Sequence, residues 1–475
     1  MQIRLSDHFN YRKMLRFTLP SITMMIVTSV YSVVDGFFVS NFAGKTSFAA
    51  VNLVMPVLMI LGTVGFIFGT GGTALVAMTL GEGKSEEANR HFSLLVYTAF
   101  VIGVILAILG WIFIHPVMAL MGATEQLLDN CVLYARCLAV SLPFYMLQIM
   151  FQSFFVAAEK PKLGLGVSIS TGVTNMVLDA ILVTTLPQAH KLMGAAFATA
   201  IAQIVGGVIP LVYFSRPNSS LLRLGKAKFN SSVIWKTCTN GASEFMNSIS
   251  MSLVGMLYNL QLMKIAGENG IAAYGVMMYV SMIFAAIFIG YSIGMAPVVS
   301  YHYGAGDYTE LKGLLRKSLI LLIIFGIGMV LAAEIAAPFL SSFFVGYDPE
   351  LYQMTVSGFR IFSLSFLFMG FGVYSSGFFT ALNDGLSSAI ISFLRSLVFQ
   401  CTCVLVLPIF FGINGAWFSV VIAEALGMLV GFLFLITKRK NSTTDRKYVH
   451  KNPSGRNTRV CSDFTVLFAD FVCFD

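Results

Sequence analysis

Four polar side chains stand inside apolar runs, where they can do chemistry that a polar surface would hide. Asp35 lies in SVYSVVDGFFVS, Asn175 and Asp179 in TNMVLDAILV, and Thr199 in GAAFATAIAQ. An ionisable group in hydrocarbon costs several kcal/mol, so each such residue is a functional candidate by default. Asn175 and Asp179 are four apart and share one helix face. At 1.5 Å per residue, Asp35 falls roughly 8 Å, and Asp179 and Thr199 roughly 10 Å, below the same membrane surface. Two carboxylates, an amide and a hydroxyl at one depth can hold a cation with hard oxygen ligands. They can equally hold a proton, because two close carboxylates in a low dielectric do not both stay ionised cheaply. A purely structural role, tying helices together, would need only asparagines.

Other residues form a second tier. Glu244 lies a few turns into an apolar run, as a contact for organic cations or as a partner for Lys236, two turns away. Arg395 is placed to pair with Glu424. Arg136 and Arg360 sit near helix ends and are expected to snorkel, and Glu334, just before Pro338, to be solvated. The chain holds 43 Phe and 25 Met. Most must pack helices or face lipid, yet soft and aromatic walls also suit flat cations. Tyr31, Met55, Met146, Phe151, Tyr258 and Met277 are the candidates for such walls. Pro20, fifteen residues before Asp35, interrupts the backbone ladder and offers a bend or simply opens the helix.

The elements that position these residues must be membrane helices. Of 475 residues 57% are hydrophobic and only 11% charged, whereas a soluble domain carries roughly 25% charged residues. A hydrocarbon core needs about 20 apolar residues per helix. Runs of that kind occur near 14–39, 52–79, 92–115, 131–157, 164–185, 192–214, 235–263, 271–299, 315–337, 352–381, 386–408 and 415–437. The first follows a polar start without a cleavage site and is expected to be retained. Lys and Arg crowd the segments on the side of the N-terminus, and only Lys45, Lys191 and Lys264 lie on the other. The positive-inside rule therefore places both termini in the cytoplasm.

The net charge of +8 follows this topology and does not mark a nucleic-acid partner. The seven Cys lack zinc-ligand spacing, and no cofactor or metal beyond a coupling cation is expected. No nucleophile pairs with a His, and no phosphate-binding glycine loop is present, so neither an enzyme nor an ATP-driven machine is indicated.

The chain repeats itself at a shift of about 223. KTSFAAVNLVMP meets ENGIAAYGVMMY, TLGEGKSEE meets HYGAGDYTE, Arg136 meets Arg360, and MGAAFATAIAQ meets NGAWFSVVIAE. Six helices per repeat give two halves of one orientation, related by an axis near the membrane normal, with substrate between two rocking lobes. The expectation is an all-α polytopic membrane protein of twelve transmembrane helices in two pseudo-symmetric six-helix lobes, 1–218 and 219–440. A cytoplasmic tail, 441–475, follows and ends in a short apolar segment. The polar set is not repeated: Asp35 maps onto Tyr258 and Asp179 near Thr402, so ion chemistry is expected in the first lobe alone.

These residues resemble a known family. Pro20 with VVDGFFVS, FFVAAEKPKLGLG followed by TNMVLD, GAAFATAIAQ, and Pro297 separated by six residues from GAGDYTELK are similar to the multidrug and toxic compound extrusion (MATE) transporters. The bacterial branch with Met- and Phe-rich cavities is the nearer match, over residues 10–437. The resemblance implies that Asp35, Asn175, Asp179 and Thr199 form a cation or proton site and that Pro20 bends helix 1. It further implies antiport of organic cations against H⁺ or Na⁺ by a monomer in a bacterial inner membrane. Some members carry an acid midway along helix 7. Here Leu257, Tyr258 and Asn259 stand there, and Glu244 lies too near the cytoplasmic end to replace it. The rival reading is a lipid-linked or polysaccharide flippase, which would favour a wide groove lined by many arginines.

Overall fold

The computed structural model describes residues 3–444 apart from Gly122, and no strand occurs among them. Each apolar run closes its backbone hydrogen bonds internally, the only solution open to a single segment in lipid. Helix α1 spans Tyr11–Phe38 and ends in a π turn, Val39–Ala43. Helix α2 covers 45–81, with a π turn at Ile67–Gly71. Then come α3 (Ser85–Leu120), α4 (Glu125–Ala157), α5 (Pro161–Thr185) and α6 (Lys191–Ser215).

In the second half α7 covers 231–266 with a turn at Gly241, and α8 covers 268–304, the run from Ala242 to Gly304 being broken at Gly267. Helix α9 is Tyr308–Val345. Helix α10 is a pair, Pro349–Ser363 and Phe366–Ala381, bent by 47°. Helices α11 (385–411) and α12 (413–444) are fused across Gly412. Among the described residues, by length and apolarity alone, nine helices can cross a membrane, or ten with the bent pair. The two glycine breaks raise this to the twelve read from sequence. The terminal segment 445–475, including the short apolar stretch expected there, lies outside the described residues.

The repeat is written into the backbone. Gly44 (φ 94°) and Gly267 (φ 59°) both turn the chain between the first two helices of a half, where a residue with a Cβ would be strained. Gly83 (φ 79°) and Gly306 (φ 71°) do so after the second helix, and Glu159 and Asn383, both at φ 58°, after the fourth. Each pair is separated by the same 223 or 224 positions that align the sequence.

The two lobes close on one another at the face that carries the start of α1 and the end of α12, here the terminal face. A Cβ on Gly81 of α2 would strike the Tyr301 carbonyl oxygen of α8, and one on Gly304 of α8 would strike the Met78 carbonyl oxygen of α2. These contacts are images of each other under the repeat. Hydrogen bonds between the lobes extend to mid-depth, where Thr63 Oγ1 donates to Ser248 Oγ at 2.8 Å. Towards the other face, Cβ atoms added at Gly36, Gly255 or Gly275 would meet nothing within 4 Å. The lobes are therefore in close contact at the terminal face.

Helix α1 belongs to both lobes. Its terminal half, with Met14 and Phe17, lies in the same apolar core as Leu311, Leu314 and Leu315 of α9. Its other half packs on α5, where Gly172 leaves room for the Tyr31 ring. Pro20 lies inside the helix, which runs on unbroken through it.

Candidate functional site

Helices α1, α5 and α6 bring the four predicted polar residues together. Asp35 is 6% exposed, Asn175 1% and Asp179 0%. Thr199 Oγ1 donates to Asp35 Oδ1 at 3.5 Å, and Asn175 Nδ2 donates to Thr199 Oγ1 at 3.4 Å. The Asp179 carboxyl stands beside that of Asp35. Both Asp179 oxygens and Asn175 Oδ1 are buried with no hydrogen-bond partner among the described residues.

The cluster is thus rich in acceptors and poor in donors. Leaving one buried acceptor unsatisfied costs about 1–3 kcal/mol, more for a charged group. A proton shared between the carboxyls or a bound cation would relieve that cost.

Two members of the site escaped the sequence reading. The Tyr134 hydroxyl of α4 faces the Asp35, Asp179 and Thr199 group and has no hydrogen-bond partner of its own among the described residues. Tyr31 of α1 faces Gln148 of α4 on the same side. Gln148 was findable as a lone amide in an apolar run. Tyr134 carried no such signal.

The second lobe fills the matching place with rings. Tyr258, the counterpart of Asp35, stacks on Tyr274 with centroids 4.7 Å apart and planes 10° apart. Cys403 and Ser419 stand nearby. The asymmetry expected from sequence is therefore present in three dimensions.

Of the wall candidates, Tyr31 and Met55 are partly exposed. Met146, Phe151, Tyr258 and Met277 are buried inside the lobes. Phe151 stacks in a ring cluster with Phe92 and Phe214, and Met277 packs beside Trp417 near Gly358. Glu244 faces Thr70 of α2 and Arg395 of α11, and no ion pair joins it to Lys236 among the described residues. Arg395 Nη1 bonds both Glu424 oxygens, at 3.1 and 3.4 Å, as the sequence indicated. Glu334 is not simply solvated: its Oε2 is 3.5 Å from Arg360 Nε and Ser363 donates to its Oε1.

The MatE family model matches residues 20–181 and 245–405, one match in each half and together more than half of the chain. The chain belongs to the MatE family. Within this family it is 24% identical over 439 residues to the multidrug export protein MepA of Staphylococcus haemolyticus, covering 92% of this chain and 95% of that protein. Staphylococcus aureus MepA is 25% identical over 442 residues, with the same coverage. Among solved structures, MATE in the straight conformation superposes with a TM-score of 0.85 at 21% identity, over 91% of this chain and 96% of that one. MATE in the bent conformation gives 0.83 at 21%, over 92% and 98%. The MatE fold therefore extends over nearly the whole described chain, and the pair of family matches mirrors the repeat found in sequence and backbone.

Proposed function

We propose that this chain is a secondary multidrug exporter that moves organic cations out of a bacterial cell in exchange for H⁺ or Na⁺. The observation that carries this reading is the Asp35–Asp179 pair, two buried carboxylates, with both Asp179 oxygens unsatisfied among the described residues. The naming of the MepA relatives as multidrug export proteins supports the substrate class. With both termini in the cytoplasm, the face opposite them is the external one.

In this reading an external cation or proton reaches Asp35 and Asp179 from the side opposite the termini. Its binding neutralises the pair and draws α1 onto α5. Because the other half of α1 is packed into the second lobe, a change at Asp35 is transmitted across the lobe interface. Drug affinity then differs between the two states of α1, which is what coupling requires. Tyr31 and Met55 are the wall residues within reach of the cleft, and Glu244 meets the drug once the terminal face opens. Lobes 1–218 and 219–440 act as the rocking bodies, and a monomer suffices.

The test is ethidium efflux from exporter-deficient bacterial cells at matched membrane levels of protein. Wild type should extrude the dye, while Asp35→Asn and Asp179→Asn should each abolish extrusion. Export that persists in both variants, or after collapse of both ion gradients, removes the carboxylate mechanism. A wild type that extrudes no member of a broad cation panel removes the exporter reading.

A further inference from the structure

The linker between the lobes carries charge that the protein itself leaves unanswered. From Ser215 to Asn240 it holds five basic residues, Arg216, Arg223, Lys226, Lys228 and Lys236, and no acidic one. All five are exposed, and none forms an ion pair among the described residues. The path of this linker is nevertheless fixed. On α3, Asn89, Ser93 and Tyr97 follow at intervals of four and share one face. Asn89 Oδ1 accepts from Arg223 N at 2.6 Å, and Ser93 Oγ accepts from Gly225 N at 3.0 Å. Tyr97 donates its hydroxyl to the Gly225 carbonyl at 3.1 Å. Leu222 is buried, and Leu224 and Ala227 pack against the same first-lobe core. Arg223, Lys226 and Lys228 are left outside.

The same face of α3 identifies what lies beyond them. Past Tyr97 it continues through Val101, Ile105, Ile108 and Ile112, each at least half exposed. Such a face on a membrane-spanning helix lies against lipid. Its rise from Val101 to Ile112 is about 16 Å, enough for the hydrocarbon of one leaflet, about 15 Å. Tyr97, with its ring at the end of that face and its hydroxyl on Gly225, therefore stands where hydrocarbon gives way to headgroups. The linker cations lie at headgroup level. Phe229 beside Lys228 and Trp235 beside Lys236 are 82% and 72% exposed, and aromatic rings in such positions suit the membrane interface.

We propose that the linker and α3 together form a preordered site for an anionic phospholipid in the leaflet on the side of the termini. An acyl chain lies along Val101, Ile105 and Ile108, and the phosphate sits among Arg223, Lys226 and Lys228. Guanidinium and ammonium groups both make charge-assisted hydrogen bonds to phosphate. Because α3 already holds the linker backbone, binding costs little ordering. A zwitterionic lipid meets the same apolar face but brings its own cation, so the charge of the site selects against it.

Native mass spectrometry of the purified full chain, offered phosphatidylglycerol or phosphatidylcholine, tests the proposal. Wild type should retain phosphatidylglycerol in preference to phosphatidylcholine. Each cation removed from an anionic surface should cost about fivefold, the equivalent of ~1 kcal/mol. Arg223→Gln with Lys226→Gln and Lys228→Gln should therefore weaken phosphatidylglycerol retention by roughly tenfold or more and leave phosphatidylcholine retention as it was. Arg12, Arg16 and Lys162 are equally exposed cations on the terminal face, without an ion pair among the described residues. Changing these three to Gln removes the same charge away from the linker and should leave most of the preference intact. Equal retention of the two lipids by wild type, unchanged retention in the linker variant, or an equal loss in the control variant would overturn the assignment.

Discussion

At Arg395 a single guanidinium is held in a nearly dry place, 12% exposed, against a Glu424 that is 6% exposed. Removing one partner of such a pair leaves an uncompensated buried charge and typically costs about 3–5 kcal/mol, whereas replacing both with apolar groups is often neutral. Arg395→Leu should therefore melt well below wild type in detergent, and Arg395→Leu with Glu424→Leu should recover most of the loss. A double variant no more stable than the single one would mean that Glu244, facing the same guanidinium, is its principal partner. Thr199 acts more subtly. Its hydroxyl links Asn175 to Asp35 through long bonds of 3.4 and 3.5 Å, each worth about 1 kcal/mol or less. Thr199→Val should keep dye export but raise the coupling-ion concentration needed for half-maximal efflux by roughly fivefold, the equivalent of that energy. An unchanged ion dependence would place Thr199 outside the ion site.

The elements show how the terminal face is kept shut. Before α1, residues 3–10 run between the lobes, with Leu5 and Phe9 fully buried. Leu5 N donates to Glu159 Oε1 at 2.7 Å on the first lobe. On the second, Phe9 N donates to Glu310 Oε1 at 2.8 Å, His8 Nδ1 meets Glu310 Oε2 at 2.5 Å, and Lys317 Nζ donates to the Phe9 carbonyl. Hydrogen bonds to charged groups are worth about 1.5–3 kcal/mol each, so the strap must release one lobe whenever this face opens. Glu310→Ala should free it, and native Cys238, which packs against the first lobe's core from α7, should then react faster with maleimide in a variant lacking the other cysteines. Labelling as slow as in wild type would show that the strap does not hold the face. Burial pushes the Glu159 carboxyl above its ordinary range, and a neutral acid still accepts a hydrogen bond. Glu159→Gln should accordingly be mild where Glu159→Ala is not. None of this was legible in the sequence, because Leu5 meets Glu159, and Phe9 meets Glu310 and Lys317, only through folding. What could be read was periodic or costly: twelve apolar runs, the 223-residue repeat, and the acids at Asp35 and Asp179. The helix ends, the π turns and the continuity of α7 with α8 were not, since Gly267 and Gly412 look like any other glycine until φ is known.

For the whole molecule, contact between the lobes at the terminal face implies a rocking motion only if those contacts come apart during turnover. Thr63 of α2 and Ser248 of α7 make one of those contacts at mid-depth, their hydroxyls 2.8 Å apart across the lobe boundary. Disulfide geometry asks for Cβ atoms about 3.8 Å apart, a separation that two bonded hydroxyl side chains approach. Thr63→Cys with Ser248→Cys, in a chain free of other cysteines, should cross-link on mild oxidation, stop dye export, and regain it on reduction. The acids would be untouched, so the loss would come from the locked interface alone. Full export with the bond in place would mean that substrate passes without separation of α2 and α7 at this depth. The two-lobe mechanism would then have to give way to a path within the first lobe, past Tyr31 and Asp35.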